Sequence, residues 1–501
     1  MGQLHLLADM QQIIQILRKP ETAVWVLFLA AAYFLIFLHL DHHPLYVWDE
    51  GLFANRAYFW AEHGKYFTNW LEVDNCDLNH PNTKPPLMSI VQALSFKMFG
   101  YNRLALRIPI AITGLLTCLA IILLAKKALK NVYAGFVMAI MLLTASAYND
   151  IHILKSGDHD TAVAFFLFAS TACFFIWLHL SKKLVWMLGF FAFTAFAILT
   201  KSIAGVLMIP GIGLYLLLSG HLVKVLSNRH TYWGLGLMLL LIAGFYGIME
   251  INQKGFLALV FEHEIKRFGS VVDSHDHPWY YYIKHMAAKS TFWFVFLTFG
   301  IVGGFISRQE LAKKLVLFFG TSGLVYLIMI SAASTKLHWY AAPLYPIMAL
   351  IAGFGFYFIL FELLAPLASN KGFNKAPVIL AFVLLIGPLY NTIKDKYKPQ
   401  NYWNVVEYEQ GLWQLKKHHP EYKTFKVHTR REWYPNLIFM VNLFNDHYGY
   451  DLEIMNSGQD IKVGDLLYGH KHERFKNYEM EKVVDLGPIE IRKVLAIKNK
   501  E

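Results

Sequence analysis

Eleven stretches of this chain are apolar for long enough to cross about 30 Å of hydrocarbon. They lie at 22–40, 104–125, 131–149, 160–179, 184–200, 203–220, 231–249, 289–306, 314–332, 339–362 and 376–393. No other feature restricts the fold so severely, because a backbone in lipid must satisfy its own N–H and C=O groups and such runs must therefore be helices. Only 16% of the 501 residues are charged and 56% are hydrophobic, which excludes the row of soluble domains that this length would otherwise allow. The pair 184–200 and 203–220 is split only by Lys201 and Ser202. The first run follows a polar, mixed N-terminus without a small-residue cleavage pattern, and so reads as a retained span.

Charge then fixes an orientation. The net charge is +11, of which residues 394–501 contribute only +2. With the N-terminus in the cytoplasm, the inside loops carry Lys126, Lys127 and Lys130; Lys182 and Lys183; Lys224 and Arg229; Arg308, Lys313 and Lys314; and Lys371 and Lys375. All are short and basic, as the positive-inside rule requires. The outer loops, 41–103, 150–159 and 250–288, are acidic, histidine-rich and aromatic. No basic tract is dense enough to suggest nucleic acid. Cys76, Cys118 and Cys173 are too scattered for a metal cluster or a disulfide framework.

Residues 1–393 thus read as an all-α polytopic membrane core, and 394–501 as a small soluble α/β domain on the outer face. In that tail a helix is predicted over 403–417 and strands over 424–429 and 479–485, with a turn at 456–460.

The first outer loop opens with Trp48-Asp49-Glu50 and a segment whose Leu52, Phe53, Ala57 and Tyr58 share a helical face, while Asn55, Arg56 and Glu62 fall away from it. An amphipathic helix along the membrane surface is expected, with Asp49 and Glu50 in its first turn. There they are either caps or a carboxylate able to take a proton from an acceptor hydroxyl. Further on, Lys84-Pro85-Pro86 precedes the apolar stripe Leu87, Ile90, Val91, Leu94 and Met98. Pro85 pushes Lys84 towards extended geometry, and a proline suits the first turn of the helix that follows. Lys84 is then an ordinary loop lysine or the cation of an anion site at a helix start.

Asp49-Glu50 after the first span, Lys84-Pro85-Pro86, a helix ending in Phe99-Gly100, and Arg103-Leu-Ala-Leu-Arg107-Ile-Pro109 together resemble a group of membrane glycosyltransferases. These are the bacterial aminoarabinose transferases acting on lipid A and the protein O-mannosyltransferases, and the likeness runs to about residue 350. The resemblance implies a GT-C-type core with about 11–13 transmembrane helices. It also implies inverting transfer of a sugar from a polyprenyl-phosphate donor to a lipid A, glycolipid, glycan or protein acceptor, on the periplasmic side of a bacterial inner membrane. Asp49 matches the family's catalytic carboxylate, with Glu50 its motif neighbour and Asp160 the acidic residue of the second outer loop. Lys84, Lys201, Arg267 and Lys336 match positions for the donor phosphate. Lys201 lies in Thr200-Lys201-Ser202, where the family has Thr-Lys-Gly, so Ser202 is a departure. Arg56, Asp158, His263, Tyr280, His338 and Tyr340 are the implied substrate contacts.

Those residue types suit the chemistry. Departure of a sugar from phosphate leaves added negative charge on the phosphate, and fixed cations stabilise that charge most in the transition state. The alternative for each lysine is an interface anchor. The histidines near the outer loops, notably His159, His275 and His277, leave room for a structural divalent cation, but the transfer requires no cofactor. The expected partners are the lipid-linked donor, a lipid or glycan acceptor and the membrane lipid, with the protein a monomer. Two rival readings are a transporter or flippase of a polyprenyl-linked substrate and a non-enzymatic envelope scaffold. A carrier would place its ionisable residues at mid-membrane depth in paired repeats, whereas here they gather in the outer loops.

Overall fold

A computed structural model describes residues 20–46, 49–64, 84–269, 275–364, 376–396, 405–428, 434–455, 461–471 and 477–498. In chain order the first helices are α1 (Pro20–Ala32, continued by a π-helical turn over Tyr33–Phe37), α2 (Asp49–His63), α3 (Leu87–Phe99), α4 (Arg103–Ala128), α5 (Val132–Thr144), α6 (Asp160–His179), α7 (Leu184–Lys201), α8 (Ile209–Leu218) and α9 (Arg229–Asn252). They are followed by α10 (Phe256–Gly269), α11 (Tyr281–Lys289), α12 (Thr291–Ile306), α13 (Glu310–Ala332), α14 (Leu344–Tyr357) and α15 (Ala376–Lys396).

A helix occupies each of the eleven apolar stretches. Among the described residues, six are long and apolar enough to cross a membrane outright: α4, α6, α7 with its extension to Val206, α9, α13, and α14 with its extension to Leu364. A seventh span would come from α11 and α12 together, although they meet at 110°. The run at 203–220 departs most from expectation. Ser202 takes a left-handed φ of 46°, and residues Ser202–Val206 form a 3-10 turn, leaving α8 only 10 residues. At the middle of the bundle is α6, which has no polar face and is buried almost throughout.

The tail forms α16 (Val405–His418), α17 (Tyr434–Tyr448) and a five-stranded sheet. The strands are β1 (Thr424–His428), β2 (Asp451–Met455), β3 (Leu466–His470), β4 (Tyr478–Leu486) and β5 (Ile489–Ile497), in the order β2-β1-β3-β5-β4. β1 runs parallel to β2 and β3, whereas β5 is antiparallel to β3 and β4. The predicted helix and two strands coincide with α16, β1 and β4; the turn at 456–460 lies outside the described residues.

The helix α2 corrects the surface-helix expectation. It is enclosed by α3 on one side and α17 on the other, so Asn55 and Arg56 are only 3% and 5% exposed. The C-terminal domain supplies cover that the sequence of the first loop does not reveal.

Two local devices hold this end of the bundle. Pro109, inside α4, cannot donate to the carbonyl of Ala105; Ser95 Oγ of α3 does so instead at 2.6 Å. The second device is a fully buried ion pair between Arg107 of α4 and Glu50 of α2. Arg107 Nε donates to Glu50 Oε1 at 2.7 Å and Nη2 to Oε2 at 2.8 Å. Its Nη1 reaches the carbonyls of Leu40 and His43 at 2.9 and 2.8 Å, and Nη2 that of Pro44 at 2.7 Å. All five guanidinium N–H groups are therefore used. Glu50 also accepts from Tyr46 N at 2.7 Å and from Gly157 N at 2.6 Å. A side chain at Gly157 would meet Leu106 at 2.9 Å and Glu50 Oε1 at 3.2 Å, which is why this residue is glycine.

Breaking a buried pair on one side leaves an uncompensated charge, at a cost of about 3–5 kcal/mol. Arg107→Met should therefore lower the thermal midpoint of the detergent-purified protein sharply, and adding Glu50→Leu should recover much of the loss. An Arg107→Met protein that melts with the wild type would remove the pair as a structural determinant.

Candidate active site

Asp49 is the first residue of α2, and the pair just described brings it beside the loop 145–159 and the start of α6. It is half-buried and makes no ion pair with a described residue. Its charge nevertheless acts on His152, Asp158, Asp160 and Lys201, so these groups share one neighbourhood. Glu50, its motif neighbour, stands differently. Four donors fill its four lone-pair positions, and it is wholly buried. Its geometry is that of a group that positions α2, not of a carboxylate open to a substrate.

Asp160 begins α6 and is hydrogen-bonded to Lys201, the last residue of α7. Lys201 Nζ also lies over the ring of Tyr340, 5.3 Å from its centroid. A lysine between two apolar runs is thereby kept in a polar pocket with a counter-ion, as its position near hydrocarbon demands.

His159 links the cations. Its Nε2 meets Gln92 Oε1 at 3.0 Å, and its ring stacks on Phe53 with centroids 3.7 Å apart. The Gln92 amide donates to the carbonyls of Leu106 and Gly157, at 3.1 and 2.7 Å, and so fixes α3 against this loop. Burial, followed by the charges of Arg56, Lys201 and Lys84, holds His159 well below the usual histidine range. The charges of Arg56 from α2, Lys84 before α3 and Lys201 from α7 are thus all felt at one buried imidazole. At the start of α6 and in the turn after α7, Asp158 Oδ1, His159 Nδ1, Thr161 Oγ1 and Ser202 Oγ are buried without a hydrogen-bond partner among the described residues. Buried polar atoms of this kind call for a polar ligand or water.

On the other side of Asp158, His152 Nδ1 pairs with its Oδ2 at 2.5 Å, and the His152 ring packs on Trp339 with centroids 4.0 Å apart. Burial alone would lower His152; the charge and hydrogen bond of Asp158 overcome it and push the imidazole up to about 9. His338, beside Trp339, is lowered chiefly by burial. Lys336 is buried, its Nζ donating to Ala333 O at 2.7 Å, and its backbone N–H to His275 O at 3.1 Å. An isolated bridge between Asp276 and Thr335 joins the same two segments.

Asp49, Asp158, His159, Asp160, Arg56, Lys84, Lys201 and Tyr340 are thus brought together. Lys336 and His338 lie on the adjoining turn, with Lys336 directed at a backbone carbonyl. Tyr280 is exposed at the start of α11, next to Trp279. The side chains of His263 and Arg267, both on α10, lie outside the described residues. Among the described residues no three metal-ligating side chains are grouped to hold an ion. His277 stacks on Tyr281, 4.2 Å between centroids, while His159 is held by Gln92 and Phe53. Sequence reasoning assigned no role to Arg107, Gln92 or His152. Arg107 was visible within Arg103-(x)3-Arg107-Ile-Pro, but nothing in the spacing of His152 marks its partner.

Residues 83–246 match the family model of dolichyl-phosphate-mannose-protein mannosyltransferase. An uncharacterized protein of Aquifex aeolicus (strain VF5) is 24% identical over 378 residues, covering 74% of this chain and 70% of its own. In structure the chain is similar to ArnT from Cupriavidus metallidurans bound to undecaprenyl phosphate, with a TM-score of 0.66 and 16% identity over 96% of this chain and 100% of that one. It is also similar to the archaeal oligosaccharyltransferase AglB from Archaeoglobus fulgidus in complex with an inhibitory peptide and a dolichol-phosphate. That match has a TM-score of 0.54 and 12% identity, over 83% of this chain and 63% of the other. The chain is a multi-pass membrane protein with the GT-C fold of these structures.

The His152–Asp158 pair makes stability depend on pH. Because folding raises His152 from 6.5 to about 9, its contribution is complete below pH 6.5 and is lost as the pH rises through about 9. The melting temperature should fall across that window, and His152→Gln should flatten the fall. A wild-type profile level over this range, or an unchanged slope in the variant, would count against the pair.

Proposed function

We propose that this protein is an inverting glycosyltransferase that takes a sugar from a polyprenyl-phosphate donor at the periplasmic face of a bacterial inner membrane. The observation that carries the reading is a buried polar cluster at the start of α6, where Lys201 is bound to Asp160 and polar atoms of Asp158, His159, Thr161 and Ser202 have no partner among the described residues, with the charges of Arg56, Lys84 and Asp49 reaching the same groups. The cations receive the donor phosphate. The bond between the anomeric carbon and the phosphate oxygen breaks, and its electrons pass to the phosphate, where three fixed positive charges stabilise them. A hydroxyl of the acceptor attacks the anomeric carbon from the opposite face, and Asp49 takes its proton. Asp160 holds Lys201 in place, and the buried polar atoms of Asp158, Thr161 and Ser202 suit the hydroxyls of a sugar. By motif position alone, Lys336 and Arg267 are assigned to the phosphate side as well.

Cationic side chains meet the charge on the phosphate, so the reading requires no metal ion. For the acceptor, the separate outer domain over the site favours a large amphiphile such as lipid A or another glycolipid over a free glycan.

The test incubates purified protein with defined polyprenyl-phosphate sugars and candidate acceptors, and follows the lipid products by mass spectrometry. Asp49→Asn should reduce turnover by about 10²–10⁴-fold, with donor binding within a few-fold of wild type. Lys84→Ala should weaken donor binding as well as turnover. Near-normal turnover by Asp49→Asn would defeat the proposed role of this carboxylate.

A further inference from the structure

We propose that Asn436, in the first turn of α17, is a positioning residue of the reaction centre, so that the outer domain is part of the catalytic apparatus and not a separate binding module. The inference rests on the transferase reading above. It starts from a contact between residues nearly four hundred positions apart. Asn436 Nδ2 donates to the carbonyls of Leu45 and Tyr46, at 2.8 and 3.0 Å. The N–H of Tyr46 is meanwhile bound to Glu50. The strand of backbone leading into Asp49 is therefore gripped by the outer domain through its carbonyls and by the buried Arg107–Glu50 pair through its amide.

The grip continues along α2. Asn55 Nδ2 donates to Pro435 O at 2.6 Å and to Gly51 O at 3.1 Å, so two asparagines reach reciprocally across the same interface. The helices approach so closely that a Cβ on Gly51 would lie 2.4 Å from Asn436 Oδ1 and 2.8 Å from its backbone nitrogen. Only glycine permits this approach. Further out, Tyr58 donates to Asp446 Oδ2 at 2.7 Å, and His447 pairs with Glu62 at 3.4 Å. The amide contacts are the buried ones; those at Leu45 and Tyr46 lie just before Asp49, and that at Asn55 is next to Arg56.

The consequence is geometric. Asp49 and Arg56 belong to one short helix, and a proton acceptor and a phosphate cation must keep their separation from a reacting carbon. A displacement of the order of 1 Å costs about 10²-fold in rate. Asn436 fixes the start of that helix without touching donor or acceptor.

The experiment compares Asn436→Ala and Asn436→Ser with Tyr58→Phe, which removes a bond from the same interface beyond the first turn. The expected result is a 10–100-fold fall in kcat for Asn436→Ala, with the donor KM within about threefold. Asn436→Ser, which keeps one donor, should fall between the two, and Tyr58→Phe should retain wild-type kcat. A cryo-EM map of Asn436→Ala should show residues 45–50 displaced while α17 stays docked. Unchanged kcat in Asn436→Ala, an equal loss in Tyr58→Phe, or an effect confined to KM would overturn the proposal. The map separates this inference from the transferase reading. If the wild type transfers no sugar, that reading fails, yet displacement of 45–50 still upholds the positioning role and an undisturbed segment still refutes it.

Discussion

Arg107 commits every N–H of its guanidinium at a single buried point, and most of what this protein can do follows from that commitment. An isolated charge in such surroundings would be prohibitive; paired, and with every donor met, it becomes a fixed joint. The groups it meets come from the end of the first span and from α2, while Glu50 adds a backbone amide of the second outer loop. Three segments distant in sequence are thereby locked in register, and Asp49 is carried to where its charge acts on Asp158 and Asp160. The placement of Asp49 is a by-product of a structural pair one residue away.

The site built on this joint is polar where the rest of the bundle is not. Arg56, Lys84 and Lys201 come from three different elements. Arg56 is buried over the ring of Phe53, Lys84 stands before the proline pair of α3, and Lys201 is bound to Asp160. His159 is buried beside them, and burial and their charges hold it well below the usual histidine range. Such a pocket suits a ligand that brings its own negative charge and hydroxyls, which is the chemistry of a sugar phosphate on a lipid.

The membrane class, the helices of the core and several elements of the outer domain were legible in the sequence, because apolar runs, basic loops and alternating strands each leave a local signal. Asp49, Lys84 and Lys201 were legible as motif positions. What the sequence did not disclose is long-range. Glu50 and Asp49 are adjacent and chemically alike, yet one is enclosed by four donors and the other is half-exposed. Asn55 and Arg56 read as the wet side of a surface helix because their cover, α17, comes from the far end of the chain. His152 read as one histidine among many, since its partner Asp158 and its platform Trp339 meet it only through the fold.

The central claim is that one cavity holds a lipid phosphate against Arg56, Lys84 and Lys201 with Asp49 nearby. It is tested most directly by a cryo-EM map of the protein reconstituted with a polyprenyl phosphate. The account predicts phosphate density within ion-pair distance of at least two of those three cations, with Asp49 beside it. Phosphate density at the opposite end of the bundle, or lipid bound with those side chains left bare, would contradict it.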